Sequence, residues 1–184
     1  MNIYFDTEFT GLHKDTTLIS IGLIAQDGST FYAEFTDYDE SQCDEWIKEN
    51  VLSNLLLGSD EYNNIADIAA RGTKEQIAPL LKLWLSEFRE DIQLVSDCCH
   101  YDMVLFIDLL GETAFDLPDY ISPVCYDINI DIANEVCDGN IKTAFDLSRE
   151  LILESYGGEE IKGKKHNSLY DAKVIKEIYN LYTI

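Results

Sequence analysis

The sequence predicts an α/β protein in which helices flank a mixed central β-sheet. Three observations indicate this class. An apolar meander opens the chain, a further strand-like segment follows between helical ones, and the last third of the chain has helical periodicity. Strands that come first and then alternate with helices are typical of layered α/β folds.

The predicted strands are short and apolar. Residues 2–5, 17–26 and 30–35 form the meander, and Asp27-Gly28 supplies the turn residues of a hairpin between the second and third strands. A fourth strand is predicted over residues 92–95. The sheet therefore begins with a local antiparallel unit.

The clearest helix signal is a capping box. Thr73 is followed three residues later by Gln76, and an apolar stripe from Ile77 to Phe88 comes next. Further helices are predicted over residues 44–57, 101–110, 127–137, 141–155 and 168–182. Pro118 and Pro123 indicate an irregular connection before the last three of them.

Length and composition predict one globular domain over residues 1–184. The chain has 184 residues, of which 46% are hydrophobic, so it can bury a sizeable core. Its 13 basic and 35 acidic residues give a net charge of -22, yet the apolar content argues against disorder. We expect a very acidic folded protein.

Several absences in the sequence predict a cytoplasmic protein. No apolar run approaches the roughly 18 residues that a membrane span needs, and the first residues lack the basic region of a secretion signal. The five cysteines are odd in number and form no pair of C-x-x-C motifs. Disulfide and zinc frameworks are therefore unsupported, and a reducing compartment fits best.

The negative charge is unevenly distributed. Residues 141–184 contain seven basic and seven acidic residues, so the whole net charge of -22 belongs to residues 1–140. An anion-binding surface is expected in the C-terminal quarter, where Lys162, Lys164 and Lys165 form a cluster. This cluster is either a solvated loop or a phosphate contact.

Two carboxylates follow the first apolar residues. Asp6 and Glu8 lie two positions apart, so the alternation of a strand directs both side chains to one face and Thr7 to the other. Two carboxylates on one face can bind a hard cation. The pair is common by chance, and its context gives it weight: an apolar strand before it and Phe9-Thr10-Gly11-Leu12 after it.

A second signal lies near the C-terminus. His166 precedes Asp171 by five residues at the start of the last predicted helix, a spacing that is rare by chance in a chain with three histidines. Between the two signals, Asp102 begins an apolar helix, while Asp97 follows the fourth strand and is its rival as a third site carboxylate. We favour Asp102, because the apolar helix can anchor it.

The order Asp-x-Glu, Asp, His-x-x-x-x-Asp resembles the DEDDh family of 3′-5′ exonucleases, and in particular its small exoribonuclease-like branch, over essentially the whole chain. The resemblance implies a ribonuclease H-like fold. One departure is that residues 96–101 lack an asparagine-containing pattern common in the family, which leaves Asp97 open as an alternative.

The resemblance also implies roles for individual residues. Two divalent cations, Mg²⁺ or Mn²⁺, would assist phosphodiester hydrolysis. Their ligands would be Asp6, Glu8, Asp102 and Asp171, and His166 would be the general base. The 3′-terminal nucleotide would contact Phe9, Thr10, Gly11, Leu12 and Lys165.

Three functions remain open from the sequence. The first is a metal-dependent 3′-5′ exoribonuclease that releases nucleoside 5′-monophosphates from short or overhanging single strands. The second is a DNA 3′-5′ exonuclease, since the 2′-hydroxyl contacts that favour RNA cannot be read from sequence. The third is a non-enzymatic acidic mimic of nucleic acid, suggested by the net charge of -22. The resemblance is also compatible with a homodimer.

Overall fold

A computed structural model describes residues 1–58, 65–111 and 113–182, and within them a six-stranded mixed sheet lies between layers of helices. The strands are β1 (Asn2–Phe9), β2 (Leu18–Ala25), β3 (Thr30–Phe35), β4 (Ile68–Gly72), β5 (Gln93–Ser96) and β6 (Tyr126–Asp127). The helices are α1 (Glu45–Asn50), α2 (Lys74–Ser86), α3 (Cys99–Leu110), α4 (Asn129–Val136), α5 (Ile141–Asp146), α6 (Arg149–Tyr156) and α7 (Ser168–Tyr182). The predicted α/β class with a mixed sheet is confirmed.

The strand order is β4-β3-β2-β1-β5-β6. The pairs β1–β2 and β2–β3 are antiparallel, so the predicted meander is confirmed. The pairs β3–β4, β1–β5 and β5–β6 are parallel. Strand β1 therefore lies inside the sheet, between an antiparallel and a parallel neighbour.

Each face of the sheet has its own apolar core. Phe5 packs edge-on against Phe106 of α3, and the same core contains Leu81 of α2. On the opposite face, Tyr4 packs edge-on against Tyr179 of α7, in a core shared with α4 and α6. Neighbouring residues of β1 thus face different helix layers, as strand alternation requires.

The structure corrects several predicted element boundaries. The helix predicted over 44–57 is the short α1 followed by a 3₁₀ turn, Leu52–Asn54. The helix predicted over 141–155 is two helices, because the Ser148 side chain accepts a hydrogen bond from the Leu151 N–H and starts a new one. Strands β4 and β6 were not predicted from the sequence.

The capping box predicted before the second long helix is confirmed. The backbone N–H of Thr73 donates to Gln76 Oε1 at 3.0 Å, at the beginning of α2.

Among the described residues, every helix is too short or too polar to traverse a lipid bilayer.

Candidate active site

Strand β1 carries Asp6 and Glu8 on the face that is covered by α7. They share this face with Tyr4, while Thr7 lies on the other side with Phe5. The Glu8 side chain is almost buried, with 9% of the residue exposed. The common face predicted for the two carboxylates is present in the fold.

Asp102 is fully buried in the first turn of α3. Its Oδ1 accepts hydrogen bonds from the Thr7 hydroxyl at 2.6 Å and from the Thr7 N–H at 3.2 Å, and its Oδ2 accepts one from the Ser96 hydroxyl. The pairing of β1 with β5 ends at Tyr4 and Val95, so the Thr7 N–H lies beyond it and is available to the carboxylate. Asp102 is thereby attached to the strand that carries Asp6 and Glu8.

Asp171 lies in the first turn of α7, and the helix start is held tightly against β2. The Ser168 and Ser20 hydroxyls are 2.9 Å apart and hydrogen-bonded. A Cβ atom at Gly22 would come within 2.2 Å of the Leu169 backbone nitrogen, so a glycine is required for this close approach. The packing determines where Asp171 meets β1.

The five residues predicted for catalysis come together in two adjacent groups. Glu8, His166 and Asp171 each place one ligand atom within 4.8 Å of the others. Asp6 and Asp102 form a second group with Asp97 under the same limit. Asp6 and Glu8 are neighbours on one face of β1 and contribute one residue to each group. Both proposed third carboxylates, Asp102 and Asp97, belong to the group of Asp6.

Asp97 differs from Asp102 in its partners. Its Oδ2 accepts a hydrogen bond from Arg149 Nε at 2.7 Å in an ion pair whose side chains are 20% and 12% exposed. The same guanidinium donates to Asn129 Oδ1 at 2.7 Å, and the Asn129 side chain donates to the Asp97 carbonyl. Asp97 is therefore charge-compensated by the protein, whereas the described hydrogen bonds of Asp102 come from neutral groups.

Burial and mutual repulsion raise the pKa of every carboxylate in the two groups that carries a resolved shift. Burial and the nearby Asp102 raise the pKa of Asp6 well above its usual range, and burial and Asp171 do the same to Glu8. Burial raises the pKa of Asp171 to about 8. Burial also raises the pKa of Asp102 to about 7, against the opposing hydrogen bonds from Ser96 and Thr7. Such a cluster holds either protons or cations.

The pKa of His166 moves in the other direction. Burial, assisted by the positive charge of Lys165, lowers it below 6.5, so the imidazole is neutral at pH 7. A neutral ring beside Glu8 and Asp171 can accept a proton.

A cavity of about 590 Å³ opens over these groups. The predicted substrate residues Phe9, Thr10, Gly11, Leu12 and Lys165 all line it. Phe9 stacks on Tyr101 with ring centroids 5.1 Å apart. Lys162 and Lys164 are exposed and are not part of the lining, so only one lysine of the predicted cluster reaches the cavity.

The sequence analysis missed several lining residues, among them Trp46, Phe145 and Arg149. Trp46 is 51% exposed and packs edge-on against the His166 ring, with centroids 5.0 Å apart. Phe145 is 48% exposed. No short spacing in the sequence links these residues to the carboxylates, because they come from α1, α5 and α6.

Comparison with solved structures supports the fold. The catalytic unit of Neurospora crassa Pan2, described as its protease and nuclease domain, aligns with a TM-score of 0.56 and 15% identity over 98% of this chain and 26% of that one. At 15% identity this similarity concerns the fold alone, and the predicted ribonuclease H-like fold is confirmed.

Sequence comparison identifies relatives that are named exoribonucleases. Two Mycobacterium tuberculosis proteins, named 3′-5′ exoribonuclease Rv2179c (strain ATCC 25618 / H37Rv) and 3′-5′ exoribonuclease MT2234.1 (strain CDC 1551 / Oshkosh), are each 38% identical over 55 residues. These matches cover 30% of this chain and only 33% of each relative. The family described as the 3′-5′ exoribonuclease Rv2179c-like domain matches residues 1–183, and the chain therefore belongs to that family.

Proposed function

We propose that this chain is a metal-dependent 3′-5′ exoribonuclease with a DEDDh-type site. In this proposal a single domain over residues 1–184 removes nucleoside 5′-monophosphates from the 3′ ends of short or overhanging single-stranded RNA. The observation that carries it is the pair of ligand groups, Glu8–His166–Asp171 and Asp6–Asp97–Asp102, which are adjacent because Glu8 and Asp6 are neighbours on one face of β1. The names of the family and of the two relatives support the same activity.

The residues fit divalent cations. Asp6, Glu8, Asp102 and Asp171 would hold them, and an all-carboxylate set suits Mg²⁺ or Mn²⁺. The raised pKa values of these four residues reflect burial and repulsion that bound cations would relieve. When bound, the cations would supply charge stabilisation to the reacting phosphodiester and lower the pKa of the attacking water.

His166 is the proposed general base. Its lowered pKa keeps the ring neutral near pH 7, so it can take a proton from the water that attacks the phosphorus. The contact with Trp46 restricts the ring, and Glu8 and Asp171 lie beside it. The phosphodiester bond then breaks with departure of the 3′-oxygen of the preceding nucleotide.

The cavity lining suits one or two terminal nucleotides. Phe9, Leu12, Trp46 and Phe145 offer apolar or aromatic surfaces on which a base can pack, and Leu12 is 76% exposed. Lys165 can contact a phosphate. A cytoplasmic location and a homodimer belong to the same proposal and rest on the sequence alone.

The test is degradation of 5′-labelled RNA and DNA oligomers of one sequence, with Mg²⁺, with Mn²⁺ and with a chelator. We expect a ladder that shortens from the 3′ end of RNA, release of nucleoside 5′-monophosphates, and no reaction with chelator. Asp6→Asn and Glu8→Gln should abolish it and so exclude a contaminating nuclease. Preferential degradation of DNA would favour the DNA exonuclease. Inactivity on both substrates would contradict the proposal and favour the acidic mimic.

A further inference from the structure

The backbone at His166 is strained. Its φ is 61°, in the left-handed region, which is unfavourable for a residue that carries a Cβ atom. Such a conformation persists only where the surrounding structure holds it, and it often marks a functional position. The holding contacts should therefore lie on both sides of His166.

Both neighbours of His166 are hydrogen-bonded to one residue, Asn54, at the end of the 3₁₀ turn that follows α1. The Asn54 side-chain Nδ2 donates to the Lys165 carbonyl at 2.9 Å. The Asn167 side chain donates to the Asn54 carbonyl at 3.1 Å. Asn54 is 111 residues from Lys165 in sequence, so these two hydrogen bonds on either side of His166 form only in the folded chain.

Further buried hydrogen bonds connect Asn54 and Asn167 to the sheet. Asn167, which is 5% exposed, also donates to the Tyr32 hydroxyl at 3.1 Å. Tyr32 in turn donates to Glu34 Oε1 at 2.9 Å, and the same oxygen accepts the Leu57 N–H at 2.8 Å. The side chain just after His166 is thus bonded to Tyr32, the segment just after Asn54 is bonded to Glu34, and these two residues of β3 are hydrogen-bonded to each other.

We propose that Asn54 is a positioning residue for His166. It holds the left-handed backbone that directs the imidazole toward Glu8 and Asp171. The same α1 and 3₁₀ segment presents Trp46 to the ring, so one segment restrains both the backbone and the side chain of His166. This inference rests on the proposed role of His166 as general base, and it assigns Asn54 no contact with the substrate.

A double-mutant cycle tests the inference. The four proteins are the wild type, Asn54→Ala, His166→Ala and the double variant, and the reaction is RNA shortening with Mn²⁺. We expect Asn54→Ala to lower kcat by about 10-fold with KM changed less than about 2-fold. In the His166→Ala background the same substitution should change kcat by less than about 2-fold, because its effect passes through the missing imidazole.

Two further variants distinguish the positioning of His166 from a general effect on the stability of the segment. Ser53→Ala is the matched control: its hydroxyl donates to the Glu49 carbonyl at 2.6 Å within the same segment, and kcat should stay at the wild-type value. Tyr32→Phe keeps the ring but removes the hydroxyl that binds Asn167. It should lower kcat, as Asn54→Ala does. It therefore provides a second test if Asn54→Ala folds poorly.

A second readout does not involve activity. The chain has three histidines, so the imidazole C–H signals of His166 can be assigned by NMR from their loss in His166→Ala. These signals should be shifted by the ring current of Trp46. In Asn54→Ala they should move toward the positions of an exposed histidine, while those of His13 and His100 stay in place.

The outcomes distinguish the two proposals. An equal loss of kcat from Asn54→Ala in both backgrounds would show a general structural role and overturn the positioning inference. Unshifted His166 signals in Asn54→Ala and Tyr32→Phe would also overturn it. Wild-type kcat in the His166→Ala single variant would contradict the proposed general base itself, and with it the role of Asn54.

Discussion

Arg149 forms an ion pair at 2.7 Å with Asp97 of the Asp6–Asp97–Asp102 group, and both side chains are mostly shielded from solvent. The guanidinium also donates to the carbonyls of Ala144 and Leu147, so α5 and α6 are joined at this point. The pair brings a negative charge to the site together with its own compensating cation. This distinguishes Asp97 from Asp102, although both approach Asp6.

The first prediction compares Asp102→Asn with Asp97→Asn. Asp102 has neutral hydrogen-bond donors, so its charge is available to a bound cation, and we expect its loss to lower kcat at least about 100-fold. Asp97→Asn should lower kcat by about 10-fold, at the low end of the range for residues that support the metal ligands from outside the direct ligand set. Steady-state kinetics with RNA and Mn²⁺ gives both values, and a larger effect at Asp97 would reverse the assignment.

The second prediction concerns the stability of the metal-free protein. An unfolded Asp titrates near 3.9, but the folded pKa is about 7 for Asp102 and about 8 for Asp171. A raised folded pKa gives a stabilising contribution that is fully present below about pH 4 and is lost as pH rises through about 8. The Tm of chelator-treated protein should therefore fall between about pH 5 and pH 8.

Asp171→Asn should flatten this Tm profile, because it removes one of the repelling charges, while Glu154→Gln on the exposed face of α6 should leave the profile unchanged. Added Mn²⁺ should raise the wild-type Tm more at about pH 8 than at pH 5. At about 100 times its Kd, a cation that binds only the folded state adds roughly 2.7 kcal/mol. Equal slopes of Tm against pH for the wild type and Asp171→Asn would contradict the assignment of this pH dependence to the repelling carboxylates.

The third prediction is the pH dependence of kcat. If His166 is the base, activity requires its neutral form, so the acidic limb should have a midpoint below the usual 6.5. His166→Ala should lower kcat by about 10²–10⁴-fold and remove this limb. Lys165→Gln should move the midpoint upward, because it removes a positive charge that lowers the pKa of His166. An unchanged limb in His166→Ala would assign the titration to another group.

The fourth prediction is a preference for short substrates. Only Lys165 of the C-terminal lysine cluster lines the cavity, and the chain carries a net charge of -22. We expect about two or three phosphate contacts, each adding about -0.7 to the log-log salt slope for a single strand. Values of kcat/KM for oligomers of two to about thirty nucleotides should level off early. A steep salt slope with a continuous rise in kcat/KM would instead require a basic surface assembled elsewhere.

Features that depend on local pattern could be predicted from the amino-acid sequence. The meander, the capping box at Thr73 and the helical start before Asp171 follow from alternation, periodicity and capping residues within a few positions of each other. Asp6 and Glu8 share a face because they lie two residues apart on a strand. These signals were sufficient to predict the fold class and to name the residues that the two ligand groups bring together.

Features that depend on contacts between distant segments could not be predicted from such patterns. Strand β4 exists by pairing with β3, since its sequence Ile-Ala-Ala-Arg-Gly has little strand propensity of its own. Arg149 reaches Asp97 across 52 residues, and Asn54 reaches Lys165 across 111. Such pairs leave no periodic trace in the sequence, because the folded backbone alone determines which side chains come within hydrogen-bonding distance.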